Sequence, residues 1–212
     1  MIILALDTCL GACSVAITDT GRVLATRSEP MTRGHQERLA PMAAEAAGEA
    51  KVPFRALDRI AVTVGPGSFT GLRVGLAFAK GVALALRRPC VGVGTLAALA
   101  ASADLPGVTV ALIGAGRGAV YIQAFDRGLA LMAPDRLPIE TAAARLAEIG
   151  AGREMMLVGP GAALLAGIFP RAPTLALAAP SPEAVSRLAS ASPEVPPRPL
   201  YLRPPDAKVK TA

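Results

Sequence analysis

Apolar positions recur along this chain in two rhythms, and the change from one to the other marks out its elements. Ile2–Asp7 is a nearly unbroken apolar run that ends on an acid, the pattern of a buried strand. Cys13, Val15 and Ile17 then alternate with small or polar residues, as in a strand with one buried face. Asp19-Thr20-Gly21 supplies a turn, and 22–27 returns as a second arm, so the opening predicts a β-hairpin. Over His35–Ala50 the period lengthens to that of a helix, with Leu39, Met42, Ala43, Ala46 and Ala47 on one face. Pro41 falls early in it and marks its start or kinks it. Asp58–Val64 predicts another strand, followed by a glycine loop at 65–71 and a second helix to about Leu86. A short strand at Val91–Val93 and a small helix at Thr95–Ala103 complete this half.

Asp104-Leu105-Pro106-Gly107 interrupts the pattern and divides the chain into 1–103 and 104–212. Beyond it, 108–113 and 120–125 read as strands around the Gly114–Gly118 segment, and Met155–Val158 as a third. Helices are expected at Thr141–Ile149, at Gly161–Ile168 and after Ser181-Pro182-Glu183, where a hydroxyl cap, a first-turn proline and an acid stand together. A proline-rich tail runs from Pro193 to Tyr201-Leu202-Arg203. Strands intermixed with crossover helices place the chain in the α/β class.

Composition adds bounds. Hydrophobic residues make up 52% and charged residues 18%, enough apolar surface for a core and against disorder. Aromatics are 3% and Trp is absent, so the core must be built from Ala, Leu, Val and Ile with close approaches at Gly. The net charge of +6 suits an anionic partner such as RNA. No long Lys/Arg block appears, however, and no aromatic–basic interleaving of the kind that binds single strands. Three cysteines without a basic leader ahead of the first apolar run fit a reduced, cytoplasmic setting. The stretch Val74–Leu86 is short and broken by Lys80, so no membrane span is expected.

The glycine loop is the most specific segment. Gly65, Gly67 and Gly71 permit positive φ and close backbone approach, and Ser68 or Thr70 can cap the helix that follows. Such a loop either offers free N–H groups to an anion or is a tight strand-to-helix turn. Other chemistry is thinly represented. There is no Gly-x-Ser-x-Gly elbow and no Walker sequence, and Cys9 and Cys13 read as small core fillers. His35, the only histidine, reads as a surface or helix-start residue.

The run 65–73, Gly-Pro-Gly-Ser-Phe-Thr-Gly-Leu-Arg, is similar to the signature of the TsaB (YeaZ) family. So are Leu4-Ala5-Leu6-Asp7-Thr8 with Cys13-Ser14-Val15-Ala16, His35 with Leu39-Ala40-Pro41, and Tyr201-Leu202-Arg203. The resemblance implies an α/β fold of the actin-like ATPase (ASKHA) type with two related subdomains. It implies a non-catalytic subunit of the complex that adds threonylcarbamoyl to the adenosine beside the tRNA anticodon. The implied partners are a TsaD-like catalytic paralogue, a TsaE-like ATPase and tRNA through the complex. ATP and metal are expected on the partners and no cofactor on the isolated chain. The paralogue carries two metal-binding histidines spaced i, i+4, where this chain has Thr95 and Leu99, so no metal site and no catalytic residue is expected. In actin-like ATPases an acid after the first strand helps to hold metal and phosphate. By that analogy Asp7, Thr8, Gly67 and Ser68 form a weak nucleotide or anion loop, unless Asp7 only hydrogen-bonds local backbone. The second phosphate loop, 114–121, keeps Arg117 and Tyr121 but has Gly114 and Ala119 where the family often has acids. A stand-alone ATPase or phosphotransferase, a metallopeptidase-like protein and an RNA-binding module are the alternatives.

The second helix is apolar on two faces. Leu72, Leu76, Ala79, Ala83 and Leu86 form one, and Val74, Phe78, Val82 and Ala85 the other. Arg73, Lys80 and Arg87 recur every seven residues as a basic stripe. Two apolar faces need two covers, one from the helix's own sheet and one from a second chain or from elsewhere in this one. Leu39, Met42, Ala43 and Ala46 with Leu72 and Leu76 are expected to face the partner. Left uncovered, the same face is expected to form a homodimer.

Overall fold

β1 (Ile2–Asp7) lies at the centre of the first sheet and is buried on both sides, as its apolar run requires. The computed structural model describes residues 1–104, 106–194 and 196–202; Leu105 of the predicted break and Arg203 of the closing motif lie outside them. β2 (Ala12–Asp19) and β3 (Arg22–Pro30) pair antiparallel to form the expected hairpin. β4 (Arg59–Thr63) and β5 (Cys90–Val93) add in parallel on the other side, giving the order β3-β2-β1-β4-β5. The crossovers are α1 (His35–Ala50), which Pro41 does not interrupt, and α2 (Phe69–Leu86). Alternate residues of β1 serve different layers: Leu4 and Leu6 pack with α1 and α2, while Ile3 and Ala5 face the opposite side.

The second half repeats this plan. β6 (Val108–Gly114) and β7 (Ala119–Asp126) pair antiparallel, with β8 (Leu129–Ala130) and β9 (Asp135–Pro138) both pairing with β7. β10 (Met155–Val158) and β11 (Thr174–Leu175) extend β6 in parallel, so the order is β11-β10-β6-β7-β8. α4 (Ile139–Ile149) and α5 (Ala163–Ala166) occupy the places of α1 and α2. α5 is shorter than the expected 161–168, and β8, β9 and β11 are too short to show a period in the sequence.

The two halves exchange their last helices. α3 (Thr95–Ala103), which follows β5, packs through Leu96, Leu99 and Ala100 on Ala111, Ile113 and Phe125 of the second sheet. α6 (Pro182–Ala191), which follows β11, packs through Val185 and Ala189 on Ile3, Ala5 and Ala61 of the first. Ser181 caps α6 by accepting from the Ala184 N–H, as the sequence indicated. The proline-rich tail then crosses the first sheet. Arg59, itself buried, donates to the carbonyls of Ala189 and Ser192 at 2.6 and 3.1 Å and to Glu194 at 3.0 Å. Further along, the Leu200 N–H donates to the Val64 carbonyl at 2.7 Å.

Candidate functional site: the glycine loop and the paired helices

The glycine loop joins β4 to α2 directly against the β1–β2 turn. A Cβ on Gly67 would stand 2.3 Å from the Cys9 carbonyl oxygen, and one on Gly71 would stand 2.0 Å from that of Thr8. Only glycine permits this approach. Hydrogen bonds fix it: the Ser68 N–H donates to the Cys9 carbonyl at 2.7 Å, and the Thr8 hydroxyl donates to the Gly71 carbonyl at 2.7 Å. Ser68, rather than Thr70, caps α2 by accepting from the Gly71 N–H.

These contacts bring the four residues of the expected anion loop together, with most of their polar groups turned inward. The N–H groups of Ser68 and Gly71 are spent inside the chain, and Asp7 and Thr8 are fully buried. The loop is thus packed against the β1–β2 turn, with two of its N–H groups already engaged. Asp7 has the local role, accepting from the Thr63 hydroxyl at 2.6 Å and the Cys9 N–H at 3.2 Å through Oδ1. Among the described residues, its Oδ2 has no partner, and neither has the buried hydroxyl of Ser14, the residue opposite it on β2. Burial pushes the Asp7 carboxyl up to about 6, against the pull of its two hydrogen bonds. Burial and the nearby Asp7 carboxylate likewise push the Cys9 thiol up to about 12, so Cys9 is an inert filler.

Thr95 and Leu99 are both fully buried on α3, with Leu99 in the core beneath the second sheet. His35 begins α1 as expected but is buried rather than on the surface, with no partner for Nε2 among the described residues. In the second half, 114–119 forms the tight β6–β7 hairpin, with positive φ at Gly116, Arg117 and Gly118. A cleft of about 810 Å³, bordered by Leu146, Met155, Phe169 and Arg171, lies in this half, and none of the predicted site residues lines it.

The partner-facing residues also need correction. Leu39, Met42, Ala43, Ala46, Leu72 and Leu76 are all buried, in one core with Leu4, Leu6, Ile60 and Val62 of the sheet. They hold α1 and α2 to the chain's own sheet and are closed to any other chain. The face turned outward is the other one. On α1 it carries Ala40, Pro41, Ala44 and Gly48. On α2 it carries Ala77, Gly81, Leu84 and Ala85, with Val74, Phe78 and Val82 half-buried beside them. Leu84 is 81% exposed. Phe69 stands at the N-terminal end of this surface, packed at a tilt of 37° against Tyr201 of the tail with 5.7 Å between ring centroids, and the Arg73 guanidinium lies 3.7 Å over the Phe69 ring. By length and composition α2 could cross a membrane, with a mean hydropathy of 1.4, yet only 33% of it is buried. A helix this apolar and this uncovered lacks its second cover.

Comparison with known proteins assigns this arrangement. A family model described as TsaD: tRNA N6-adenosine threonylcarbamoyltransferase matches residues 23–192. The solved structure of YeaZ from Pseudomonas aeruginosa superposes with a TM-score of 0.75 at 33% identity, over 89% of this chain and 90% of that one. The chain belongs to the TsaB (YeaZ) family. Among curated relatives, the tRNA threonylcarbamoyladenosine biosynthesis protein TsaB of Escherichia coli is 38% identical over 130 residues, 60% of this chain and 56% of its own length. The chain thus spans about half the length of that relative. An uncharacterized protein of Mycobacterium tuberculosis, Rv3421c, is 33% identical over 97% of this chain and 93% of its own. The ethanolamine utilization protein EutJ of Carboxydothermus hydrogenoformans, at 13% identity and a TM-score of 0.53, shares the fold alone. That fold is the actin-like ATPase type, and the repeated sheet orders with exchanged helices are its two related halves.

Proposed function

We propose that this TsaB-family chain is a non-catalytic pairing subunit of the assembly that adds threonylcarbamoyl to the adenosine beside the tRNA anticodon. It holds a TsaD-like catalytic paralogue through the outward face of α1 and α2. One observation carries this reading: α2 is apolar along its length, only 33% buried, and continuous with small exposed residues on α1. Two such helices can dock an equivalent pair by fitting ridges into grooves, with Ala40, Ala44, Ala77 and Gly81 letting the backbones come close. The packed glycine loop supports assigning ATP and metal to the partners, a TsaE-like ATPase among them. The tRNA reaches this chain through the complex. In the absence of the paralogue the same face forms a homodimer, and the paralogue displaces it.

Reconstitution of the assembly tests the proposal. Leaving out this chain should abolish threonylcarbamoyl transfer to tRNA by the paralogue and the ATPase. Leu84→Glu should remain folded yet weaken pairing by about tenfold or more, since one buried leucine is worth roughly 1.5–3 kcal/mol. Full activity without the chain would reject the reading.

A further inference from the structure

Two basic residues of α2, Arg73 and Lys80, lie beside the tail, and Arg87 caps the end of the helix. Arg73, Lys80 and Arg87 are exposed, and no Asp or Glu occurs between Asp58 and Asp104. Seven-residue spacing puts Arg73 and Lys80 about 10 Å apart along one line of the helix, and Arg87 follows as its C-cap, in the left-handed conformation. Among the described residues, none of Arg73, Lys80, Arg87 or Arg88 lies within salt-bridge distance of a carboxylate. Lys80 and Arg88 border a cleft of about 630 Å³ with Cys90, Pro196 and Glu194, and that glutamate is already held by Arg59. The cations flank Ala77 and Leu84, so whatever covers the apolar face must also meet them.

We infer that the occupant of this face is a protein surface with its own carboxylates set against Arg73, Lys80 and Arg87, and that these contacts favour it over a second copy of this chain. The inference rests on the pairing role proposed above. A second copy is poorly matched. α1 has three carboxylates, of which Glu45 and Glu49 are bound to Arg38 and Arg27, leaving Glu37 alone to answer three cations. α2 has none. An RNA backbone would satisfy the charges but leave Leu84 and Ala77 without apolar cover, whereas a charged rim around an apolar centre is the build of a protein interface.

The test measures pairing with the catalytic paralogue, and self-association, at salt concentrations from about 50 to about 500 mM. Salt should loosen the hetero-pair and leave the homodimer unchanged or tighter. Lys80→Glu/Arg87→Glu, checked for an unchanged melting temperature, should weaken the hetero-pair by about tenfold and flatten its salt dependence. Leu84→Glu separates the two levels of the argument. If it leaves pairing intact, the face itself is wrong. If it abolishes pairing while the double reversal and salt change nothing, the pairing role stands and the charge match fails. Direct tRNA binding by the lone chain that the double reversal removes, with pairing unaltered, would overturn the inference in favour of RNA.

Discussion

Asp7 is a buried carboxyl whose titration is set by its surroundings. Its carboxyl is pushed from the ordinary 3.8 to about 6 by burial, so the folded state holds its proton more tightly than the unfolded chain. Stability from this group is therefore greatest below pH 4 and falls as pH rises to about 6, by about 3 kcal/mol in all at 1.36 kcal/mol per unit. Asp7→Asn should remove that loss: the variant should melt higher than the parent at pH 7, with the gap closing towards pH 4. An equal gap at both pH values would contradict this. Glycines test the loop in the same way. Gly71→Ala should destabilise the chain by about 1–3 kcal/mol or more, because its Cβ would meet backbone at 2.0 Å. Gly81→Ala, with nothing within 4 Å on an exposed helix face, should stabilise the isolated chain by up to about 1 kcal/mol. Denaturant melts of the two variants should move in opposite directions. The motif spacing made this loop legible in the sequence. What the glycines approach was not legible, because the Thr8 and Cys9 carbonyls lie more than fifty residues away along the chain.

Helices α1 and α2 were legible in extent and periodicity but not in orientation. The strongest apolar faces, Leu39 with Met42 and Leu72 with Leu76, are those the sheet claims first, since large side chains gain most from the chain's own core. What remains for a partner is weaker in the sequence: alanines, glycines and the single Leu84. A helical period cannot tell these two fates apart, but the exposure of each position can. Leu76→Glu, placing a charge in the core, should unfold the chain by circular dichroism, while Leu84→Glu should keep its fold. A folded Leu76→Glu variant would show that the faces have been assigned the wrong way round.

At the scale of the whole molecule, the repeated plan of the two halves was hidden because strands such as Leu129–Ala130 and Thr174–Leu175 are too short to show a period. The exchange of α3 and α6 was equally invisible, since nothing local records which sheet a helix joins. It makes Arg59 a tie between the halves, its guanidinium fixed to the end of α6 and the tail. Arg59→Met should cost about 1–3 kcal/mol in denaturant melts, chiefly by leaving the Ala189 and Ser192 carbonyls unanswered, since the largely exposed Glu194 stays hydrated. The exchange also leaves α1 and α2 as the outermost layer of the first half, free to meet another chain. Amide hydrogen exchange of this chain, alone and with the catalytic paralogue, tests that most directly. The account predicts slowed exchange over α1 and α2, with the second sheet and its 810 Å³ cleft unchanged. Protection confined to the second half, with α1 and α2 exchanging as in the lone chain, would contradict it.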